Sequence, residues 1–422
     1  MNDQTTTSNL KHTYVPAFDG LRGTVLTVLF FHLEAICPVF DGHPRIKFLL
    51  FSQTWYTLNI FFCLSGFLIT WLLANEIQTT GQLSLLRFYK RRTVRLLPAY
   101  LSALIFSCWL AYAWGNGINR IFHDAIYFLT YSYNIGASLR GGLFVGVLAH
   151  FLGPAWSLCV EEQFYFAWSV VMKWLKMQYL LRVLIWTLIA LEVYRCGLLY
   201  YMRHAGYYSP EQIRFRFYYG TDIRIDAILM GCVAALALQN RKYYELARKY
   251  LKSRALPYLL PVAIAWTVFH TAHNGEQSPD YQLYGDMLSL TLLAAWIVCV
   301  MFQPTSLVSQ VLASRPFVLL GRISYGLYIF HYQVIRIVER LLNTNTPPNS
   351  VMRNLSAWFL VVVISTLIAT VHLHLIELPL QRRFKGAMPI PDKPKRHPIL
   401  APAVRQWIRG LSFADRTQHP KS

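Results

Sequence analysis

The chain has 422 residues, of which 55% are hydrophobic and only 14% are charged. Because a soluble domain normally carries about a quarter charged residues, this composition excludes an ordinary water-soluble globular protein and favours a membrane protein. The formal net charge of +20 comes from Lys and Arg that cluster at the ends of apolar segments. This distribution argues against a nucleic-acid-binding role and indicates positively charged cytoplasmic loops.

Apolar runs of roughly 20 residues, the length that crosses a bilayer as a helix, recur along most of the chain. They predict an all-α, polytopic integral membrane protein with about ten transmembrane helices. The stretch 121–150 is rich in aromatic residues and could add an interfacial or re-entrant helix. The predicted spans are approximately residues 17–38, 55–74, 96–114, 156–175, 180–201, 221–239, 256–272, 283–303, 317–341 and 354–376.

Basic residues follow every even-numbered predicted span, whereas residues 273–282 contain no Lys or Arg and residues 342–353 contain only Arg353. Because positive charge is retained in the cytoplasm, this asymmetry predicts a multi-pass protein of the cell (inner) membrane with both termini cytoplasmic. The predicted organisation is a cytoplasmic tail over residues 1–13, one membrane domain over 14–384, and a basic, flexible cytoplasmic tail over 385–422.

The first predicted span carries three ionisable side chains, Asp19, Arg22 and His32. Ionisable groups in hydrocarbon are costly and often functional. One interpretation makes Asp19 and Arg22 interfacial anchors and His32 a hydrogen-bonded core histidine. The other makes His32 a general base, because a neutral imidazole can take the proton of a sugar hydroxyl near neutral pH.

A basic segment at the start of the third predicted span contains Arg91, Arg92 and Arg95. Residues three and four apart share a face of a helix, so these guanidinium groups are expected to lie together. Either they are only positive charge retained at the cytoplasmic face, or they bind the phosphates of a nucleotide-like cofactor, which guanidinium groups grip in a bidentate manner.

The outer end of the fourth predicted span carries Glu161, Glu162 and Tyr165. Paired carboxylates that enter a membrane helix are costly unless they bind something. One interpretation is a simple helix N-terminus, where the helix dipole favours acidic side chains. The other is a polar binding site that opens at the outer face.

Two further groups of polar residues lie towards the end of the chain. Arg224 and Asp226, near the start of the sixth predicted span, are interpreted as a structural ion-pair network in preference to a chemical role. His331, in the ninth predicted span, could be a second base, a substrate contact or a core histidine. The seven cysteines form no C-x-x-C pair, so neither a disulfide framework nor a metal site is expected.

Taken in order, several segments resemble the acyltransferase-3 family of membrane O-acyltransferases, which modify surface polysaccharides, lipopolysaccharide, nodulation factors and macrolides. They include Phe-Asp-Gly-Leu-Arg-Gly at 18–23, Arg-Arg-Thr-Val-Arg at 91–95 and Ile-Glu-Leu-Pro at 376–379. The others are residues 61–70, 156–165, 220–227 and 320–331. The resemblance implies a ten-helix membrane domain and acyl-CoA as the cytoplasmic donor. The residues to which it gives functional weight are Arg22, His32, Arg92, Arg95, Glu161 and Glu162.

The chain departs from the family pattern in two places. Family members usually have ten residues between the Arg and the His of the first helix, whereas this chain has nine. On one continuous helix that spacing leaves Arg22 and His32 about 80° apart. Either Gly23 lets the start of the helix unwind, or His32 acts without aligning with Arg22. The family also often has a histidine beside the Trp of its fourth-span motif, where this chain has Pro154 and Ala155.

The resemblance and the residues together give a hypothesis for the donor side of the reaction. The phosphates of acyl-CoA would bind Arg91, Arg92 and Arg95, and the thioester would lie near His32. His32 would deprotonate a hydroxyl of a cell-surface or lipid-linked carbohydrate, and the alkoxide would attack the acyl carbonyl, with acetyl as the expected acyl group. No permanently bound cofactor and no metal is expected.

The acceptor side of the hypothesis rests on further side chains. Arg22, Ser65 or Tyr328 would stabilise the oxyanion. The expected acceptor-binding side chains are Glu161, Glu162 and Tyr165. Two alternatives stay open: a transporter or flippase of a glycolipid or similar amphiphile, in which the buried charges line a permeation path, and a catalytically silent relative that acts as a membrane scaffold.

Overall fold

The computed structural model describes residues 15–40, 42–43, 45–47, 56–140, 146–272, 286–342 and 351–386. Within those ranges every regular secondary-structure element is a helix, as predicted. Both predicted tails lie outside these ranges, apart from residues 385–386, which end the last helix.

Long apolar helices alternate with short connecting helices. In chain order they are α1 (Pro16–Arg22), α2 (Val25–Ile36), α3 (Tyr56–Thr80), α4 (Leu85–Ala113), α5 (Ile118–Leu129), α6 (Tyr133–Arg140), α7 (Ala149–Leu152), α8 (Trp156–Trp174), α9 (Met177–His204), α10 (Pro210–Tyr219), α11 (Thr221–Arg224), α12 (Asp226–Gln239), α13 (Arg241–Tyr250), α14 (Leu256–Ala272), α15 (Asp286–Phe302), α16 (Leu307–Leu312), α17 (Arg315–Leu342), α18 (Val351–His372) and α19 (Leu378–Gly386). A 3₁₀ turn, Gly153–Ala155, precedes α8, and a π turn, Leu373–Glu377, joins α18 to α19.

Each predicted span coincides with one helix or with two consecutive helices. In the described part of the chain, four segments are long and apolar enough to cross a bilayer: α3, α4, α9 and the continuous segment Val351–Phe384. The apolar helices Asp226–Gln239, Leu256–Val268 and Met287–Phe302 are shorter. The helices therefore support a multi-pass membrane protein, while the number of ten crossings and the cytoplasmic termini stay predictions.

The first predicted span is broken into two helices at Gly23. The Gly23 N–H is hydrogen-bonded to the carbonyls of Asp19 and Gly20, which ends α1, and the Thr24 hydroxyl donates to the carbonyl of Leu21 at 2.7 Å. A new helix, α2, begins one residue later. Because Arg22 and His32 lie on different helices, the angular offset calculated for one continuous helix does not apply. The interruption lies near Gly23, as one alternative expected, but the chain tightens there instead of unwinding: the N–H groups of Gly23, Thr24 and Thr27 bond to carbonyls three residues earlier.

Helices α3 and α12 cross in close contact at two glycines. A Cβ atom on Gly231 would overlap the carbonyl oxygen of Cys63, and a Cβ atom on Gly66 would overlap the carbonyl oxygen of Ile228. Small residues allow the backbones of membrane helices to approach this closely. The contact fixes the depth and rotation of α3, which carries Ser65, relative to α12.

The glycine contact gives a prediction for stability. Gly231→Ala is expected to destabilise the protein by about 1–3 kcal/mol, because overpacking at a backbone contact forces the two helices apart. The measurement is the thermal midpoint of the detergent-solubilised protein. The control is Gly197→Ala on α9, where an added Cβ meets nothing within 4 Å. Equal midpoints for the two variants would contradict the packing described here.

Candidate active site

Two histidines that lie 299 residues apart in the sequence meet between α2 and α17. The Nδ1 atom of His32 lies 2.9 Å from the Nε2 atom of His331, and the two rings stack with centroids 5.1 Å apart. His331 is buried and His32 is half-buried. The sequence left a second base, a substrate contact and a core histidine open for His331, and the structure adds a role that none of the three describes, that of a hydrogen-bonding partner of His32.

The hydrogen bonds of His331 determine which nitrogen atoms carry protons. Its Nδ1 atom lies 2.7 Å from the backbone carbonyl oxygen of Tyr328, which can only accept, so Nδ1 carries the hydrogen. The Nε2 atom of neutral His331 therefore accepts, and the Nδ1–H of His32 donates to it. This leaves the lone pair of His32 on Nε2, which has no hydrogen-bond partner among the described residues. Such a nitrogen is suited to take a proton from a substrate.

A cavity with charged walls lies one helical turn along α17 from this histidine pair. Tyr328 connects the two features, because its side chain lines the cavity and its carbonyl accepts from His331. Helices α1, α3, α4, α8 and α17 surround the cavity, and leucine, isoleucine and phenylalanine side chains cover much of its wall. Its charged or phenolic lining includes Arg22, Arg92, Arg95, Glu161, Glu162 and Tyr165.

The three arginines of the cavity differ in their partners. Arg22 forms an ion pair with Asp19, with 3.1 Å between Nη1 and Oδ1. Arg92 pairs with Glu162, with 3.2 Å between Nε and Oε1, and its guanidinium lies over the ring of Tyr165. For Arg95 the described residues supply neither a salt bridge nor a hydrogen-bond partner. Arg95 is therefore the cation most available to an anionic ligand.

Arg91 lies apart from this group. Its Nη2 atom pairs with Oε2 of Glu76 on α3 at 2.8 Å, and within the described residues Arg91 is not part of the cavity lining. On a helix of 3.6 residues per turn, a neighbour of Arg92 points about 100° away from it. The sequence analysis grouped Arg91 with Arg92 and Arg95, and the structure separates it.

The acidic cluster meets the basic cluster instead of lying at the opposite membrane face. Arg92 is about 10 Å along α4 from its start at Leu85, and Glu162 is about 10 Å along α8 from its start at Trp156, at 1.5 Å per residue. Both side chains thus reach the interior, where they form the ion pair described above. The expectation that the arginines and the glutamates serve separate ends of the protein is therefore corrected.

The two hydroxyl groups suggested as oxyanion donors, those of Ser65 and Tyr328, already have acceptors, as does the hydroxyl of Tyr165, which was suggested to bind the acceptor. Ser65 donates to Oε1 of Glu161 at 3.2 Å, and Tyr165 donates to Oε2 of the same carboxylate at 3.1 Å. The Tyr328 hydroxyl donates to the carbonyl oxygen of Pro154 at 2.7 Å. Within the described residues the guanidinium of Arg22 forms one hydrogen bond, to Asp19, and has further N–H groups. Arg22 is therefore the better oxyanion donor of the three candidates.

Arg224 and Asp226 are parts of a buried network between helices. Arg224 donates to Oδ1 of Asn59 on α3 at 2.8 Å, and Asp226 accepts from Arg195 on α9 at 2.7 Å. Arg195 also pairs with Glu192. Neither Arg224 nor Asp226 is part of the described cavity lining. These contacts favour the structural interpretation and join α11 and α12 to two neighbouring helices.

Sequence analysis missed residues that surround the histidine pair. The ring of Tyr332 lies edge-on to His32 with centroids 5.3 Å apart, and the Tyr332 hydroxyl accepts from Arg336 at 3.0 Å. Arg336 also donates to the carbonyl of His150 at 3.2 Å. The spacing of Tyr332 and Arg336 along α17 was the available signal, because residues four apart lie on one face of a helix.

A family model described as an acyltransferase domain matches residues 15–374. The chain belongs to the acyltransferase-3 family. The matched residues include both histidines and all the charged side chains of the cavity. The site described from geometry thus lies within the acyltransferase-3 domain.

Curated relatives add a more specific similarity. The chain is 28% identical over 391 residues to O-acetyltransferase OatA of Staphylococcus aureus. The aligned residues make up 90% of this chain and 59% of the relative. It is 27% identical over 394 residues to peptidoglycan O-acetyltransferase OatA of Listeria monocytogenes, and this alignment makes up 90% of this chain and 58% of the relative. This acyltransferase-3 chain thus spans less than two thirds of the length of these relatives. No solved structure matches it significantly.

Proposed function

We propose that this chain is a membrane O-acyltransferase that moves an acetyl group from acetyl-CoA, or another acyl group from its CoA thioester, to a hydroxyl of a cell-surface carbohydrate. The observation that carries the proposal is the hydrogen-bonded row from the Tyr328 carbonyl through His331 to His32. It leaves an imidazole lone pair on His32, whose partner His331 bonds to Tyr328, and the side chain of Tyr328 lines the cavity with three arginines. Neither histidine is itself part of the described lining, and the proposal requires the donor to extend past Tyr328 to reach the base.

The cavity supports a donor of the CoA type. Arg95 and the remaining N–H groups of Arg92 offer charge-assisted hydrogen bonds to phosphates. Leu58, Phe61 and Leu72 belong to the apolar part of the wall, which is suited to the uncharged arm that carries the thioester. In this arrangement the nucleotide phosphates lie against the arginines and the thioester extends towards Tyr328.

The chemistry follows from the proton positions. His32 Nε2 takes the proton of the acceptor hydroxyl while the hydroxyl oxygen attacks the thioester carbonyl. His331 stabilises the imidazolium that forms on His32, because its Nε2 accepts the Nδ1–H throughout. The tetrahedral oxyanion is bound by Arg22, and collapse expels the CoA thiolate, which takes the proton back from His32 Nε2. The products are an O-acyl ester and CoA.

The acceptor is proposed from the relatives together with the cavity. One relative is named a peptidoglycan O-acetyltransferase, and we assign this chain an acceptor of the same class, a polysaccharide hydroxyl. Glu161 and Glu162 can accept hydrogen bonds from sugar hydroxyls near the attacked carbonyl. We further propose that the protein lies in the cell (inner) membrane with both termini cytoplasmic. The transporter alternative gains no support, because the matching family is one of acyltransferases.

The experiment that tests the proposal uses the purified full chain in detergent, ¹³C-labelled acetyl-CoA and a soluble peptidoglycan-derived saccharide. The expected product is a saccharide with one labelled acetyl group that mild base removes, since esters are base-labile and amides are not. Labelled acetate that stays on the saccharide after base treatment, or no labelled saccharide at all, would contradict the proposal.

The histidine pair gives a prediction that separates proton positioning from packing. His331→Phe keeps an aromatic ring but removes the acceptor for His32 Nδ1–H, and it is expected to lower kcat about 100-fold with the KM for acetyl-CoA unchanged. His331→Gln offers an amide oxygen as the acceptor and is expected to keep kcat within about tenfold of the wild type. A glutamine variant as inactive as the phenylalanine variant would contradict the assigned role.

A further inference from the structure

A second group of side chains with nucleophilic geometry lies outside the cavity, between α4 and the end of α18. The Oγ atom of Ser102 lies 3.1 Å from Nε2 of His372, and Nδ1 of His372 lies 3.0 Å from Oε1 of Glu377. His372 and Glu377 are buried, whereas Ser102 is half-buried. None of the three belongs to the described cavity lining, and the mechanism proposed above uses none of them.

The π turn Leu373–Glu377 is what brings His372 and Glu377 together. In an α-helix, residues five apart point about 140° away from each other. A π turn bonds residue i to residue i+5, so the two side chains lie on one face. π turns within α-helices occur frequently at functional sites. A strictly α-helical chain would place Glu377 out of reach of the imidazole.

The hydrogen bonds of His372 also determine which of its ring nitrogens carries the hydrogen. The Glu377 carboxylate accepts from Nδ1–H of His372, so the lone pair of the imidazole is on Nε2. The Ser102 hydroxyl then donates to that nitrogen. A hydroxyl bonded to the free nitrogen of an imidazole whose other nitrogen is held by a carboxylate is the arrangement that activates a serine nucleophile. Polar contacts that only join helices do not need this order of three groups.

We propose that Ser102 is a second nucleophile of the protein and takes an acyl group from an activated ester or thioester. The Ser102 oxygen attacks the acyl carbonyl while its proton passes to His372 Nε2. The bond to the leaving thiol or alcohol breaks, and that group takes the proton from His372. An acyl ester on Ser102 results. Water, deprotonated by His372, then attacks this ester, releases the carboxylic acid and returns the proton to Ser102.

The test traps the nucleophile with diisopropyl fluorophosphate and needs neither acyl-CoA nor a saccharide. Its outcome is therefore independent of the proposed transferase function. The purified full chain is treated with the reagent, the intact mass is followed with time, and the modified peptide is mapped. The expected result is one phosphoryl adduct on Ser102, formed with loss of fluoride and absent in Ser102→Ala. The matched control is Ser365→Ala, a buried serine on α18, which is expected to label like the wild type.

Two further variants test whether Ser102 is labelled because His372 activates it or only because the reagent can reach it. His372→Gln keeps a hydrogen-bonding side chain of similar size but cannot act as a base, and it is expected to slow labelling at least tenfold. Glu377→Gln is expected to slow it as well, because the imidazolium loses its carboxylate. The proposal is overturned if Ser102 carries no adduct in the wild type, or if the labelling rate in His372→Gln equals that of the wild type.

Discussion

Replacing His32 with glutamine is expected to lower kcat for acetyl transfer by about 10²–10⁴, the range that a positioned general base contributes. Glutamine preserves a hydrogen-bond donor towards Nε2 of His331 and a similar volume, so the packing between α2 and α17 should persist. It cannot accept a proton from the acceptor hydroxyl. The KM for acetyl-CoA is expected to stay within a few-fold, because the donor phosphates bind at the arginines of the cavity.

The measurement is steady-state transfer with the purified protein, kcat and KM being determined separately for the donor. His204→Gln is the matched control, because His204 is an exposed histidine on α9 bonded to the carbonyl of Tyr200. It should match the wild type in both constants. If His32→Gln retained more than about a tenth of the wild-type kcat, His32 could not be the base.

Replacing Arg95 with alanine is expected to weaken acetyl-CoA binding about 10- to 100-fold. A hydrogen bond to a charged group contributes about 1.5–3 kcal/mol, and each 1.4 kcal/mol corresponds to a factor of ten in Kd. Arg95 is preferred to Arg92 for this test, because removal of Arg92 leaves Glu162 without its ion-pair partner. An effect of Arg92→Ala would therefore mix donor binding with destabilisation of the cavity.

The measurement is the Kd of CoA at two salt concentrations, for example by calorimetry. Binding to the wild type should weaken with salt, because salt screens charge pairs that solvent can reach, and the Arg95→Ala variant should show a smaller salt effect. The variant Arg91→Ala tests the structure against the sequence-based expectation, which assigned phosphate binding to Arg91 as well as to Arg92 and Arg95. The ion pair of Arg91 with Glu76 lies outside the cavity. The structure therefore predicts that Arg91→Ala changes the Kd of CoA little. Equal losses in the Arg91 and Arg95 variants would contradict the cavity as described.

The helices follow from the sequence because their cause is local. Each apolar run must satisfy its backbone hydrogen bonds internally, so composition alone indicates where helices form. The sequence did not decide whether the helix breaks at Gly23, because glycine and threonine permit either a continuous or an interrupted helix. Only the surrounding packing selects between them. Gly20, for example, is held against the carbonyl of Leu312 on α16, where no Cβ would fit.

The candidate site is less predictable because its contacts join distant segments. Nothing in the sequence around His32 or His331 indicates that the two rings meet, and each histidine fits a core position equally well. The ion pair of Arg92 with Glu162 was missed because basic and acidic clusters were assigned to opposite membrane faces by charge, without the depth that each helix gives its side chains. Pairings of this kind depend on helix packing, which periodicity does not encode.

The central claim is that the arginine-lined cavity and the histidine pair are two parts of one active site. The most direct test is affinity labelling of the purified protein with bromoacetyl-CoA in the absence of acceptor, followed by peptide mapping. If the donor bound at the arginines presents its acyl group to His32, alkylation occurs on His32. Unmodified CoA should suppress it, and Arg95→Ala should weaken it. Labelling that leaves His32 unmodified while other residues react, or labelling of His32 that CoA does not suppress, would contradict the account.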